Sequence, residues 1–332
     1  MPGPLIPYIS LPELPILGKH TIELFGHAQT IGPWTIKPFG TLVATGVYLG
    51  ALMAMRYARK RELNVDAMSR FMFWVLVFGF VGGHVLDEIF YHPEQVVRDP
   101  MSLLRIWAGL SSFGGFAGAV IGVFAFKYKF GVKSILPFAE AMAAMFPVGW
   151  VFGRMGCSVV HDHPGLPSQL WFAVKYPDGS GGRFDLGLYE MLFAVIIAVV
   201  ALTLARKKTP PGFFLGWTML VYAPVRFVLD FLRAMPGDKR LAETDPRYFG
   251  VTPGQWASFI MAAGAFYLLY RACDSGAVGN EPFANALEGI DPAVFAKKPK
   301  GSKSAAVKPD DAAIPKAADA AASGSSEDKP VV

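Results

Sequence analysis

Charged residues are scarce in this sequence. They make up 17% of 332 residues while 53% are hydrophobic, where soluble domains carry about a quarter charged residues. That deficit, with a mean hydropathy of +0.37, excludes an ordinary soluble enzyme and points to lipid as the solvent. Cysteine is almost missing too. Cys157 and Cys273 are the whole complement, and they fall near opposite ends of different apolar runs, which makes a disulfide between them geometrically implausible. Residues 1–33 lack a basic start followed by a clean apolar stretch, so no recognisable signal peptide precedes the runs. The net charge of +5 comes without any nucleic-acid-binding motif, and no nucleic-acid partner is expected.

What is present is length of apolar chain. Seven runs, 38–56, 70–91, 104–126, 136–154, 185–205, 212–233 and 254–272, approach or reach the 17 to 25 residues (roughly) that cross a bilayer as helix. The fold class expected is all-α, a polytopic membrane protein with about seven transmembrane helices. Basic residues cluster after the first run (Arg56, Arg59, Lys60, Arg61), the third (Lys127, Lys129, Lys133) and the fifth (Arg206, Lys207, Lys208). Cationic short loops stay in the cytosol, so the N terminus is expected outside and the C terminus in the cytoplasm. Residues 1–33 then form an outer-face segment and 34–274 the membrane domain. Residues 275–332, rich in Ala, Lys, Asp, Ser and Pro, read as a disordered cytoplasmic tail, because so little apolar surface does not repay the entropy of ordering.

Ionisable residues inside such runs are functional candidates. His84 and Asp87 or Glu88 share one helix face in the second run. Tyr222, Arg226, Asp230 and Arg233 line one face of the sixth, and the plain reading of Arg226–Asp230 is an ion pair that fixes helix packing. Arg154 closes the fourth between Gly153 and Gly156, whose missing side chains admit a backbone or head group. Two arginines from different helices can clamp one phosphate through bidentate forks. The loop beyond Arg154, His161-Asp162-His163-Pro164-Gly165, places two histidines and an acid beside that clamp.

These residues are carried in a collinear set. Gly82-Gly83 is followed by Ile89-Phe90-Tyr91, Asp99-Pro100, Arg105-Ile106-Trp107 and Gly114-Gly115-Phe116-Ala117-Gly118. Then come Gly153-Arg154-Met155-Gly156, Leu188-Tyr189-Glu190 and Tyr222-x-x-x-Arg226-Phe227-x-x-Asp230-Phe231-x-Arg233. From about residue 34 to 272 the chain resembles the prolipoprotein diacylglyceryl transferase family. The resemblance implies an inner-membrane enzyme that moves a diacylglyceryl group from phosphatidylglycerol to the lipobox cysteine thiol of a prolipoprotein, releasing glycerol phosphate. Its partners would be phosphatidylglycerol, prolipoprotein signal peptides and the membrane, and no cofactor or metal is expected. Arg154, Arg226, Tyr222, Asp230, Gly114, Gly115 and Gly165 are the expected substrate-binding residues.

Departures from the family pattern are specific. The histidine before the paired glycines is replaced by Phe113, the first-run tyrosine by Phe39, the asparagine of Gly-Arg-x-Gly-Asn by Cys157, its downstream glutamate by Asp162, and an arginine after Gly82-Gly83 by His84. Because Phe113 accepts no proton, the catalytic expectation moves to His161, His163 and Asp162, with His161 ahead as the thiol's base. Two other readings remain open: a metal-dependent membrane lipid enzyme using His84, Asp87, Glu88, His161, Asp162 and His163, and a non-catalytic lipid-binding or transport protein of the same fold.

Overall fold

The computed structural model describes residues 3–18, 20–24, 27–31, 34–104, 109–241, 244 and 247–295. Arg105-Ile106-Trp107 and the tail from 296 onward lie outside these. Short strands β1 (Leu14–Leu17) and β4 (Trp34–Ile36) pair, as do β2 (His20–Leu24) and β3 (His27–Ile31). Helices α1 (Pro38–Lys60), α2 (Val65–Tyr91), α3 (Pro93–Arg98), α4 (Ser112–Phe130) and α5 (Leu136–Val160) follow. Strands β5 (Pro164–Pro167) and β6 (Arg183–Asp185) form a third small antiparallel pair. The chain continues through α6 (Leu186–Leu204), α7 (Phe213–Leu229), α8 (Pro253–Ser275) and the single turn α9 (Glu281–Ala284). Seven of the helices are long and apolar enough to cross a membrane. Apolar side chains such as Phe73, Phe116, Ile196, Ile260 and Tyr267 stand exposed along their outward faces, as lipid-facing residues do. The all-α expectation therefore holds for the spans, with three two-stranded sheets added outside them.

Several span boundaries differ from the sequence reading, and two of them bear on the site. The third helix starts at Ser112 rather than 104, because the Ser111 hydroxyl accepts the Gly114 N–H at 3.4 Å and caps it. The fourth continues to Val160, so Arg154 lies inside the helix instead of closing it. Nothing before His161, which takes φ +52°, stops the helical hydrogen bonding.

Small residues bring the helices together in pairs. Gly79 and Gly82 of α2 face Gly114, Gly115 and Gly118 of α4, and Gly46 and Gly50 of α1 face Gly149 of α5. A Cβ added at Gly114 would collide with the Gly82 carbonyl and the Leu86 side chain. Gly114 and Gly115, expected to bind substrate, are thus used here for helix packing.

The apolar core gathers at the end carrying the basic loops, where Phe71, Phe126 and Phe138 make edge and tilted ring contacts 5.3 to 5.6 Å apart. The segment expected to be tail is ordered there through Phe295. Phe283 and Phe295 are buried, Phe295 against Phe130 at 5.0 Å. Arg61, counted above among the loop cations, is itself buried: its guanidinium lies 4.0 Å over Phe283 and donates to Tyr57, Thr209 and Gly279. Two aromatic anchors supply the apolar area that the polar composition around them conceals. Phe283→Ala is expected to cost about 3 kcal/mol or more through cavity formation and loss of the cation–π contact, read as a lowered unfolding midpoint in detergent. An unchanged midpoint would show the segment to be dispensable.

Candidate active site

A group of ionisable residues collects where α5, α6, α7 and α8 approach one another at the other end of the bundle. Arg154 on α5 donates to Glu190 on α6 at 2.9 Å, and Arg226 on α7 pairs with the same carboxylate. The Tyr222 hydroxyl donates to Glu190 at 2.9 Å and accepts from Arg154 at 3.4 Å, while its ring stands edge-on to Trp150 at 4.5 Å. One turn on, Asp230 accepts from Arg226 at 3.2 Å, from Arg233 at 3.3 Å and from the Thr252 hydroxyl. Thr252 also caps α8 through a capping box with Gln255, which locks the α8 entrance to the ion pairs. Gly254 packs directly on Asp230 and Arg226 and leaves no room for a side chain. Pro224, inside α7, frees the Leu220 carbonyl from its helical partner just before Arg226.

Glu190 is completely buried, and Arg154 and Arg226 retain 19% and 14% of their side-chain exposure. Three guanidiniums (Arg154, Arg226, Arg233) converge on two buried carboxylates (Glu190, Asp230) in a largely desolvated place. An arginine-rich place of this kind is suited to an anion.

The loop after α5 divides the two histidines. At the left-handed His161, the chain reverses and carries that ring away from the arginines. Its Nδ1 lies 2.5 Å from Asp185 Oδ2 and its Nε2 3.1 Å from the Ile9 carbonyl. Tyr8 stacks on it at 3.8 Å. Asp185 also caps α6 and accepts from Tyr176 at 3.0 Å. With both ring nitrogens occupied, His161, expected ahead of His163 as the thiol's base, is held in a hydrogen-bonded network. That one left-handed residue separates the two histidine rings.

His163 is half-buried near the arginines. Burial, reinforced by Arg233, Arg154 and Arg226, holds its imidazole down at about 3, so it is neutral and able to accept a proton at physiological pH. Asp162 stands 3.8 Å from His163 Nε2. Desolvation holds its carboxyl above the ordinary range against the pull of Arg154. Cys157, one turn below on α5, accepts from Arg154 at 3.7 Å.

Gly165 serves the scaffold. Its carbonyl accepts from the buried Arg183 at 3.0 Å and it bridges to Arg233. A Cβ there would meet Phe184 and the Leu232 carbonyl. His84, buried on α2, lies 3.4 and 3.3 Å from the Gly109 and Ser102 carbonyls. The six-residue metal set suggested by the sequence is not assembled. Among the described residues, the group with metal-ligand spacing is Cys157, Asp162 and His163.

A family model described as prolipoprotein diacylglyceryl transferase matches residues 27–271, the stretch that supplies every arginine, acid and histidine of this group. The chain belongs to that family. It is 28% identical over 283 residues to the phosphatidylglycerol–prolipoprotein diacylglyceryl transferase of Nitrobacter winogradskyi, covering 79% of this chain and 93% of that protein. To the protein of the same name from Cereibacter sphaeroides it is 27% identical over 280 residues, covering 76% and 94%. The Chromohalobacter salexigens protein of that name is 28% identical over 209 residues, covering 62% and 78%.

Within this prolipoprotein diacylglyceryl transferase fold, sequence reasoning quoted Glu190 as part of a motif without giving it a role, and passed over Asp185. The signal for Glu190 was available: it is the single acid in the apolar α6, and a buried charge in a span demands a partner. Asp185 had only a local signal, as the N-cap before an apolar run.

Proposed function

We propose that this chain catalyses transfer of the diacylglyceryl group of phosphatidylglycerol to the cysteine thiol of a prolipoprotein signal peptide. The observation that carries this reading is the convergence of Arg154 and Arg226 on Glu190, with Arg233 tied in through Asp230. The oxygens of a phosphodiester monoanion fit such paired guanidinium forks. In the transfer, the thiolate sulfur attacks the diacylglyceryl carbon bonded to the phosphate oxygen. The S–C bond forms, the C–O bond breaks, and glycerol phosphate leaves with the electron pair and a second negative charge. Arginines aimed at the phosphate stabilise that developing charge. Glu190 and Tyr222 hold the two guanidiniums in orientation before the lipid arrives, and Asp230 does the same for Arg226 from the other side.

The thiol proton goes to His163, which faces the arginine group and is neutral without substrate. Phosphate binding offsets the field of the arginines and raises the basicity of His163 when the proton must move. Asp162 orients that ring or accepts from a donor hydroxyl. The positive-inside pattern supports an N-out, C-in arrangement in a bacterial inner membrane. His163 and Arg154 then lie at the outer side, where an exported lipobox cysteine emerges.

Complementation of a conditional strain lacking the family enzyme, paired with transfer from phosphatidylglycerol to a lipobox peptide in vitro, tests the activity. Failure of both with well-expressed protein would overturn it and favour a non-catalytic lipid-binding role. Arg154→Lys and Arg226→Lys are each expected to lower kcat/KM by about 10- to 100-fold despite retained charge, because a lysine provides no fork to span Glu190 and a phosphate. Wild-type rates in both variants would exclude the fork geometry as the source of binding.

A further inference from the structure

At the α5 terminus, Cys157, Asp162 and His163 each offer one ligand atom, and these atoms lie within 4.8 Å of one another. The arrangement follows from the reversal at His161, which folds residues 162 and 163 back over the last turn of the helix. A tetrahedral ion with bonds of about 2.0 to 2.3 Å needs ligand atoms roughly 3.3 to 3.8 Å apart. Small side-chain rotations close the remaining gap. Cys157 is buried, His163 half-buried and Asp162 exposed, so the group is reached from solvent on the Asp162 side.

We propose that Cys157, Asp162 and His163 bind one thiophilic divalent cation of the zinc or cadmium class, with the fourth coordination position left to water or an anion. One sulfur, one nitrogen and one oxygen donor form a set that such ions accept and that magnesium or calcium do not favour. Thiolate and carboxylate together balance the two charges of the ion. The occupied site is therefore itself neutral beside Arg154, Arg226 and Arg233. The ion itself displaces the thiol proton when it binds, as thiolate ligation requires. Occupation ties up the His163 ring and so inhibits transfer, a consequence that rests on the reading of His163 as the thiol's base.

The test uses full-length, chelator-treated protein in detergent carrying Cys273→Ser, which removes the exposed cysteine. Cadmium titration is expected to produce a thiolate-to-cadmium charge-transfer absorption, with equilibrium dialysis saturating at one ion per chain. Cys157→Ser should abolish the band, and His163→Gln or Asp162→Asn should weaken binding about 10- to 100-fold. No band in the parent, or an undiminished band in Cys157→Ser, would overturn the site. Transfer is then measured with and without zinc, each variant compared with itself. Inhibition of the parent that is lost in Cys157→Ser supports both the site and the base. Saturated binding with undiminished transfer supports the site and overturns the assignment of His163.

Discussion

Glu190→Gln is expected to reduce kcat by about 100-fold or more without raising KM. The substitution removes the acceptor shared by Arg154, Arg226 and Tyr222. Glutamine has nearly the same size, so the packing of α6 is kept while the orienting charge is lost. Removing one negative charge makes the pocket more positive, which attracts the lipid phosphate and keeps KM low. The two guanidiniums no longer point to where charge develops, which lowers kcat. Breaking buried pairs also costs about 3 to 5 kcal/mol, so rates must be normalised to the folded fraction by gel filtration. A well-folded Glu190→Gln enzyme with wild-type kcat would show that Glu190 merely tolerates the arginines.

His163→Gln is expected to lower kcat/KM by about 100- to 10,000-fold, the range for loss of a general base. His161→Gln should behave differently. It loses the Asp185 and Ile9 contacts and the Tyr8 stack, which costs about 1 to 3 kcal/mol of stability, with a smaller effect on rate. The pH profile separates the two histidines further. His163 is held at about 3 in the free enzyme, and a depressed imidazole loses its proton before physiological pH is reached. From about pH 5.5 to 8.5 its ionisation should contribute no acid-side fall to kcat/KM, which reports the free enzyme. An acid limb centred near the ordinary histidine value of about 6.5, and absent in His163→Gln, would overturn the proposed environment.

The spans were legible because bilayer thickness imposes a length on apolar runs whatever their order in space. Arg154, Arg226, Tyr222 and Asp230 were legible because charge in a span carries a cost that needs a reason. Their common partner was harder to find: Glu190 lies 36 residues from Arg226, and no periodicity links two helices. The choice between His161 and His163 was closed to sequence reading. It depends on a non-glycine residue adopting φ +52°, held there by Tyr8 and Asp185 from distant segments. Phe283 and Phe295 show the opposite failure. Composition averaged over a polar stretch hides isolated aromatics that each find a pocket.

Those two aromatics also affect how the protein is made. Phe283 and Phe295 are synthesised after all seven long helices, yet they complete the packing around Arg61, Phe126 and Phe130. A nascent chain that has threaded its last span still has an unfinished end, with aromatic surface waiting for residues not yet translated. A premature stop just beyond α8 would leave every catalytic candidate in place and that end unsealed. Such a product should be cleared by proteolysis more readily than its intact active-site residues would suggest.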